Sequence, residues 1–117
     1  MKYDTDFFIK KLSVIPLKEW TVGRYTDLQG RHCALGHLGA SLGLENPVSN
    51  AMSKLFYTEL GVSVADVNDG CARPHDGFGS VPKSILKHKT PRARVLAGLN
   101  EIKKIQDGRK QKHAHKP

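Results

Sequence analysis

Hydrophobic residues recur at helical spacing in three long segments of the chain. In the first segment, Asp4 can cap a helix that Pro16 stops. In the second, residues 47–60 repeat apolar positions every three or four residues, which is typical of an amphipathic helix with one buried face. The third segment begins at Pro91, a residue that fits the first position of a helix, and Gly108 ends it. The pattern therefore predicts three amphipathic helices.

A different pattern lies between the first two of these helices. Residues 19–32 carry spaced packing residues and a glycine-containing turn, which predicts a short β-hairpin or ribbon. A glycine-punctuated helix is expected at about 33–42, with Gly43 as its end. Residues 62–67 fit either a short strand or a one-turn helix capped by Ser63. Together the elements predict an α+β fold that is predominantly helical, with about four helices and a short β-hairpin or ribbon.

The apolar faces of these elements define a predicted core. One face of the 33–42 helix carries leucines, whereas the opposite face carries small residues together with Cys33 and His37. Each mid-helix glycine costs about 1 kcal/mol against alanine, so close packing on both faces is the expected compensation. The predicted core contains Phe8, Leu12, Trp20, Cys33, Leu35, Leu38, Leu42, Met52, Leu55, Phe56, Val95, Leu99 and Ile102.

The length of 117 residues fits one ordinary domain. We expect a compact domain over residues 1–108 with a 70–89 loop insertion rich in Gly, Pro, His and Lys, followed by a basic flexible tail at 109–117. No run approaches the ~18 apolar residues of a membrane helix, and the N-terminus lacks the apolar region of a signal peptide. The sequence therefore predicts a cytoplasmic protein without membrane association.

Charge is distributed unevenly along the chain. The net charge is +8, yet residues 83–117 hold eleven Lys or Arg against two acids, a net of +9. Residues 1–82 hold eight basic and nine acidic groups, a net of −1. Such asymmetry indicates a polyanionic partner, namely nucleic acid, a nucleotide or an acidic protein surface. A solubilising basic terminus is the alternative interpretation.

The junction before the last helix is the strongest local indication of an anion site. A helix N-terminus attracts anions, and cations in its first turn are mildly disfavoured unless something negative offsets them. Two arginines occupy that first turn, so they indicate an external anion, unless they face acids from residues 1–82. The predicted anion-binding residues are Lys83, Lys87, His88, Lys89, Arg92, Arg94, Lys103, Lys104, Arg109 and Lys110.

Cys33 has three interpretations. It can be a small buried residue in a tightly packed helix. It can be a nucleophile, because a helix N-terminus lowers the pKa of a thiol and His32 or His37 can serve as base. It can also be a zinc ligand, because the spacing of Cys33 and His37 is repeated by Cys71 and His75. We favour the first interpretation, and so assign no catalytic residue, no metal and no cofactor.

The residues around Cys33 resemble a pattern found in small bacterial and phage domains of unknown function. In these domains a Trp-x-x-Gly segment leads into a Cys-Ala-Leu-Gly helix, and an Asn-Asp pair precedes a final helix. The matching residues are Trp20, Gly23-Arg-Tyr25, Asp27, Gly30-Arg31, Cys33-Ala-Leu-Gly36, Leu38, Asn68-Asp69 and Val95-Leu96-x-x-Leu99. The resemblance implies a compact, mostly helical unit in a phage or mobile-element setting, and it transfers no catalytic residue. The 70–89 insertion, His37 and the basic arm depart from the pattern.

These observations predict a small non-enzymatic binding protein that engages an anionic partner through its basic C-terminal third. In the setting that the resemblance implies, it would be a phage or mobile-element accessory factor with an anti-defence or host-modulating role. The alternatives are a Cys33-dependent thiol hydrolase or transferase and a zinc-stabilised interaction module. Association into a homo-oligomer stays open.

Overall fold

Six α-helices and one turn of 3₁₀-helix account for the regular structure of the described residues. The computed structural model describes residues 3–41, 44 and 46–114. The helices are α1 (Thr5–Ser13), α2 (Ala34–His37), α3 (Pro47–Leu60), α4 (Val64–Asp69), α5 (Lys83–Leu86) and α6 (Pro91–Ala114), with the 3₁₀ turn at Leu17–Glu19. The predicted α+β class is therefore wrong, because the described residues form helices and no β-strand.

The predicted hairpin near 19–32 is replaced by a series of turns. His32 forms isolated bridges with Trp20 and with Thr26, and no ladder extends from either. The Asp27 carboxylate accepts hydrogen bonds from the backbone N–H groups of Gln29 and Arg31, both at 2.9 Å. Because this side chain takes donors that a cross-strand ladder needs, the segment closes locally instead of pairing as strands.

The cysteine-bearing helix is much shorter than predicted. It ends at His37, and Gly39 then adopts a left-handed conformation with φ of 93°. A glycine tolerates that conformation without steric cost, so it ends the helix early. The predicted continuation includes Leu42 and the stop at Gly43, which lie outside the described residues.

The long helices begin and end mostly where local signals predict. The Asp4 side chain accepts the N–H of Phe7 at 2.8 Å, and Asn46 forms a capping box with Ser49 at the start of α3. Gly61 ends α3 in a left-handed conformation. The predicted end of the last helix at Gly108 is wrong, because α6 continues to Ala114. A helical glycine costs only about 1 kcal/mol, and the lysines and alanine that follow are good helix formers.

Helix α6 packs against each of the other five helices. Helix α1 lies antiparallel to it, since Lys103 contacts Asp6 at 2.7 Å near the start of α1 and Arg92 contacts the carbonyls of Ser13 and Ile15 at its end. In the apolar stripe of α6, Val95, Leu99 and Ile102 are fully buried, whereas Ile105 is 37% exposed. The fold is therefore organised around one long helix that the rest of the chain covers on one side.

The core agrees with most of the prediction and extends it. Nine of the predicted residues are buried, whereas Cys33, Leu35 and Leu55 are only partly buried. The core also includes residues from α4 and from the 70–89 segment, which is not structureless because it contains α5. The additional buried apolar residues are Ala34, Ala40, Val62, Val64, Val67, Val81 and Ile85.

Candidate functional site

The Asn68-Asp69 pair at the end of α4 joins three separate segments. The Asn68 side chain accepts the N–H of Ala34 at 3.0 Å and donates to the carbonyl of Thr21 at 2.9 Å. The Asp69 carboxylate accepts the N–H of Gly23 and the Asn68 amide, both at 3.0 Å. The geometry therefore gives the Asn-Asp pair a structural role: it fixes α2 and the 20–26 segment against α4.

Gly36 allows the 20–26 segment to approach α2 closely. A Cβ atom on Gly36 would lie 2.1 Å from the carbonyl oxygen of Tyr25 and 3.0 Å from its carbonyl carbon. That carbonyl also accepts the N–H of Cys33 at 3.2 Å. Since the obstacle is backbone, a side chain here displaces the segment that carries one wall of the cavity described below.

Replacing Gly36 by alanine is expected to lower the free energy of unfolding by about 2 kcal/mol, because overpacking against rigid backbone has costs of that order. Urea denaturation followed by circular dichroism measures the change. Gly108→Ala is the matched control: no atom lies within 4 Å of its Cβ position in helix α6, so this variant is expected to gain about 0.5–1 kcal/mol. Equal stability of Gly36→Ala and the natural chain would contradict the close approach.

A cavity of about 680 Å³ opens between the 20–26 segment, α2 and the loop that follows α4. Its charged and titratable wall residues are Arg24, Tyr25, Cys33, Asp69 and His75. Leu35 and Ala65 contribute apolar surface. A concave, largely apolar site with a few convergent polar groups is the usual form of a small-molecule site.

Cys33 sits at the N-terminal cap of α2, where two effects on its thiol oppose each other. Burial raises the pKa of the Cys33 thiol, and the charge of Asp69 raises it further, while hydrogen bonds from the backbone N–H groups of Gly36 and Leu35 lower it. Burial is the largest effect, so the pKa lies above its ordinary value and the group is a neutral thiol at neutral pH.

The two histidines that the sequence pairs with Cys33 point elsewhere. His37 packs its ring against Trp20, with ring centres 4.7 Å apart, and against His32 at 5.1 Å. Burial lowers the pKa of His37, and the neighbouring His32 lowers it further. The His32 Nδ1 atom lies 2.8 Å from the Thr26 hydroxyl. Neither ring lines the cavity, so the structure does not bring the predicted bases to the thiol.

His75 reaches the cavity instead, and a buried carboxylate holds it there. Its Nδ1 atom lies 2.7 Å from Oδ1 of Asp66, whose side chain is 1% exposed, whereas the His75 side chain is 68% exposed. The second Asp66 oxygen is buried without a hydrogen-bond partner in the described part of the chain. The sequence gives no local signal for this pair, because the partners are nine positions apart and only the return of the loop brings them together.

The four residues considered for zinc do not form one site. His75 is bonded to Asp66, and the Cys71 thiol donates to the carbonyl of Arg73 at 3.0 Å. Within the residues that the structure describes, no three His, Cys, Asp or Glu side chains come close enough to hold a metal ion. The two Cys-x-x-x-His pairs therefore do not converge on one metal site within the described residues.

Arg92 and Arg94 bind backbone carbonyls of neighbouring helices. The Arg94 guanidinium, 8% exposed, donates to Val67 at 3.1 Å, to Asn68 at 2.8 Å and to His88 at 3.0 Å. Arg92 donates to Ser13 and to Ile15 at the end of α1. These hydrogen bonds complete the C-terminal ends of α4 and α1, where carbonyls lack helical partners. Both arginines are therefore removed from the anion-binding set that the sequence predicts.

Two further basic residues form ion pairs with acids of α1 and α3. Lys103 pairs with Asp6 at 2.7 Å, and Arg109 pairs with Glu59. The pKa of Lys103 is raised by its hydrogen bond to Asp6. The remaining lysines of the predicted set are exposed and make no ion pair with the described part of the chain; they are Lys83, Lys87, Lys89, Lys104 and Lys110.

We found no match between this chain and any protein-family model, curated protein or solved structure. Along the described residues, no helix has the length and apolar character needed to cross a membrane. The fold and the site define a small helical protein that has a thiol-bearing cavity and a set of exposed lysines.

Proposed function

We propose that this protein is a binding protein for nucleic acid, which it contacts through lysines of α5, of the α5–α6 junction and of α6. The observation that carries the proposal is the division of the basic residues. Arg92 and Arg94 donate to backbone carbonyls, and Lys103 and Arg109 form ion pairs with Asp6 and Glu59, whereas five lysines of the same stretch are exposed and make no ion pair with the described residues. Exposed lysines that face solvent gain most from an external polyanion, because each phosphate that a lysine neutralises releases a condensed counterion.

The spacing of these lysines favours an extended partner over a mononucleotide. From the start of α6 to Lys110 the helix rises about 28 Å, at 1.5 Å per residue. At 100° per residue, Lys104 and Lys110 lie about 120° apart around the helix axis, so they do not share one narrow stripe. A nucleic acid backbone offers phosphates over such a length. A mononucleotide and an acidic protein are the competing partners.

The test compares two variants that each lack four positive charges of the natural chain. In the first, Lys87, Lys89, Lys104 and Lys110 are all replaced by glutamine. The control replaces Lys10, Lys11, Lys18 and Lys54, which are exposed lysines of the first half of the chain. Fluorescence anisotropy with labelled single-stranded and duplex DNA and RNA, at several salt concentrations, gives affinity and salt dependence.

We expect the natural chain and the control to bind with affinity that falls steeply with salt. The first variant is expected to bind about 100-fold more weakly at low salt. Its plot of log affinity against log salt concentration is expected to be shallower, with a slope smaller in magnitude by about 3–4. Each lysine that neutralises a duplex phosphate contributes about 0.9 to the magnitude of that slope. Equal weakening of both variants would show that net charge alone matters. That result, or binding confined to a mononucleotide or an acidic protein, would overturn the proposal.

The biological setting belongs to the same proposal. The resemblance to small bacterial and phage domains supports a cytoplasmic accessory factor of a phage or mobile element, with an anti-defence or host-modulating role. Nucleic acid is a partner on which such a factor can act.

A further inference from the structure

Two of the three groups that thiol catalysis needs line the cavity, and the third lies behind one of them, although the sequence separates all three widely. Cys33 supplies a sulfur nucleophile from the cap of α2. His75 supplies an imidazole from the loop after α4, and among the histidines whose side chains the structure describes it is the one that lines this cavity. Asp66 supplies a buried carboxylate behind that imidazole. A nucleophile, a base and a group that orients the base are the general requirements of covalent catalysis.

We propose that this cavity is a thiol-dependent acyl-transfer site, in which Cys33 is the nucleophile, His75 the general base and Asp66 the residue that positions His75. The inference goes beyond nucleic-acid binding and does not depend on it. The substrate class is a small carboxylic ester or thioester.

The geometry of His75 fixes which nitrogen can act as base. An ionised carboxylate only accepts hydrogen bonds, so the Nδ1 atom that faces Asp66 carries a hydrogen. The Nε2 atom of the neutral ring is then unprotonated and free to accept a proton. The charge of Asp66 stabilises the imidazolium that forms, as the carboxylate does in other nucleophile–His–carboxylate sites.

A base is required because the resting group is a thiol. Burial and the Asp69 charge keep the pKa of Cys33 above its ordinary value, so few molecules carry a thiolate at neutral pH. The backbone N–H groups of Leu35 and Gly36 favour the thiolate once the proton leaves. Cys33 is therefore inert by itself and becomes a nucleophile when a base accepts its proton.

The reaction proceeds in two balanced steps. In the first, the Cys33 proton passes to Nε2 of His75, the sulfur bonds to the acyl carbon, and the leaving alcohol or thiol departs with that proton. In the second, water attacks the acyl-cysteine while its proton passes to Nε2, and the sulfur regains a proton as the carboxylic acid leaves. The apolar wall at Leu35 and Ala65 fits the acyl chain, and Arg24 can hold an anionic group of the substrate.

The first experiment measures the reactivity of Cys33 without requiring the natural substrate. In a Cys71→Ser background, iodoacetamide modifies one cysteine, and the second-order rate constant is followed from pH 5 to pH 9. Adding His75→Ala is expected to lower this rate about tenfold at pH 7, because the thiol then lacks its base. His88→Ala is the matched control: this histidine does not line the cavity, and the rate is expected to stay within about twofold.

Asp66→Asn tests the positioning role. The variant keeps the shape of the side chain and removes its charge, so the imidazolium formed by proton transfer is less stabilised and the pH midpoint of alkylation is expected to move downward. A merely structural effect would change the rate at every pH and leave the midpoint in place, which would overturn the role of Asp66. Should this variant not fold, His75→Ala decides the proposal, since that side chain is mostly exposed.

The second experiment looks for the covalent intermediate. After mixing with p-nitrophenyl acetate, mass spectrometry is expected to find one acetyl group on Cys33, and nitrophenol release is expected to be abolished in Cys33→Ser. The variant that lacks four lysines of α5–α6 is expected to keep this activity, which separates the outcome from that of the nucleic-acid test. Alkylation that is indifferent to His75, or the absence of an acetyl adduct, would overturn the proposal.

Discussion

Replacing Arg94 by alanine is expected to lower the free energy of unfolding by about 3–4 kcal/mol. The guanidinium is buried and donates to three carbonyls, two of them at the end of α4. Hydrogen bonds from a charged group contribute about 1.5–3 kcal/mol each. The carbonyls of Asn68 and His88 would lose this donor, whereas the carbonyl of Val67 would keep the N–H of Gly70 at 3.3 Å. The separate contributions overlap, because the carbonyls relax together once the side chain is gone.

Thermal and urea unfolding of Arg94→Ala measure this decrease. For a chain of this length about 4 °C of melting temperature corresponds to 1 kcal/mol, so the midpoint should fall by about 12–16 °C. Arg73→Ala is the control, because that arginine is exposed on the loop after α4 and its removal should change stability by less than about 0.5 kcal/mol. Similar stability of the two variants would contradict the structural role of Arg94. It would also return this residue to the set of candidate anion ligands.

Asn68→Asp is expected to cost about 3 kcal/mol at neutral pH, although the two side chains have nearly the same shape. Asn68 is 1% exposed and donates to the Thr21 carbonyl and to the Asp69 carboxylate. The substitution removes both donors and places a second negative charge beside Asp69. An uncompensated buried charge is among the most destabilising changes that a fold can receive.

The pH dependence of Asn68→Asp separates the charge from the missing hydrogen bonds. Burial and the Asp69 charge both raise the pKa of the new carboxyl in the folded state above its unfolded value of about 3.9. The folded state therefore holds the proton more tightly, and the penalty shrinks as pH falls towards the unfolded value. Urea unfolding at pH 8 and pH 5 should show a smaller decrease in stability at pH 5. Asn100→Asp, on the exposed side of α6, is the control and should show little decrease at either pH.

Features set by neighbouring residues could be predicted from the sequence. The caps at Asp4 and Asn46 and the helix start at Pro91 each depend on residues within one turn, and all three are confirmed. The 19–32 hairpin failed for a reason that is also local: the Asp27 side chain competes with cross-strand partners for backbone donors. The residue types of the 19–32 segment suit an extended ribbon, and they do not reveal that the Asp27 side chain competes for the backbone donors.

Features set by distant contacts could not be predicted. The sequence places two arginines in the first turn of α6. It does not show that their hydrogen-bond acceptors are backbone carbonyls at the ends of α1 and α4. Likewise, the sequence indicates Cys33 as a candidate nucleophile. The placement of His75 in the same cavity, and of Asp66 against His75, depends on how the loop after α4 returns to the body. The sequence shows which groups exist; tertiary packing decides which of them meet.

The antiparallel packing of α1 on α6 has a consequence for synthesis on the ribosome. Phe8 and Leu12 are fully buried, and the apolar stripe of α6 that helps to cover α1 is made about 80–90 residues later. Until then the apolar face of α1 is open to other chains, and nascent proteins with such faces aggregate or recruit chaperones. The packing of α1 is therefore expected to be completed only after α6 has been synthesised, and an N-terminal fragment that stops before α6 should associate with itself.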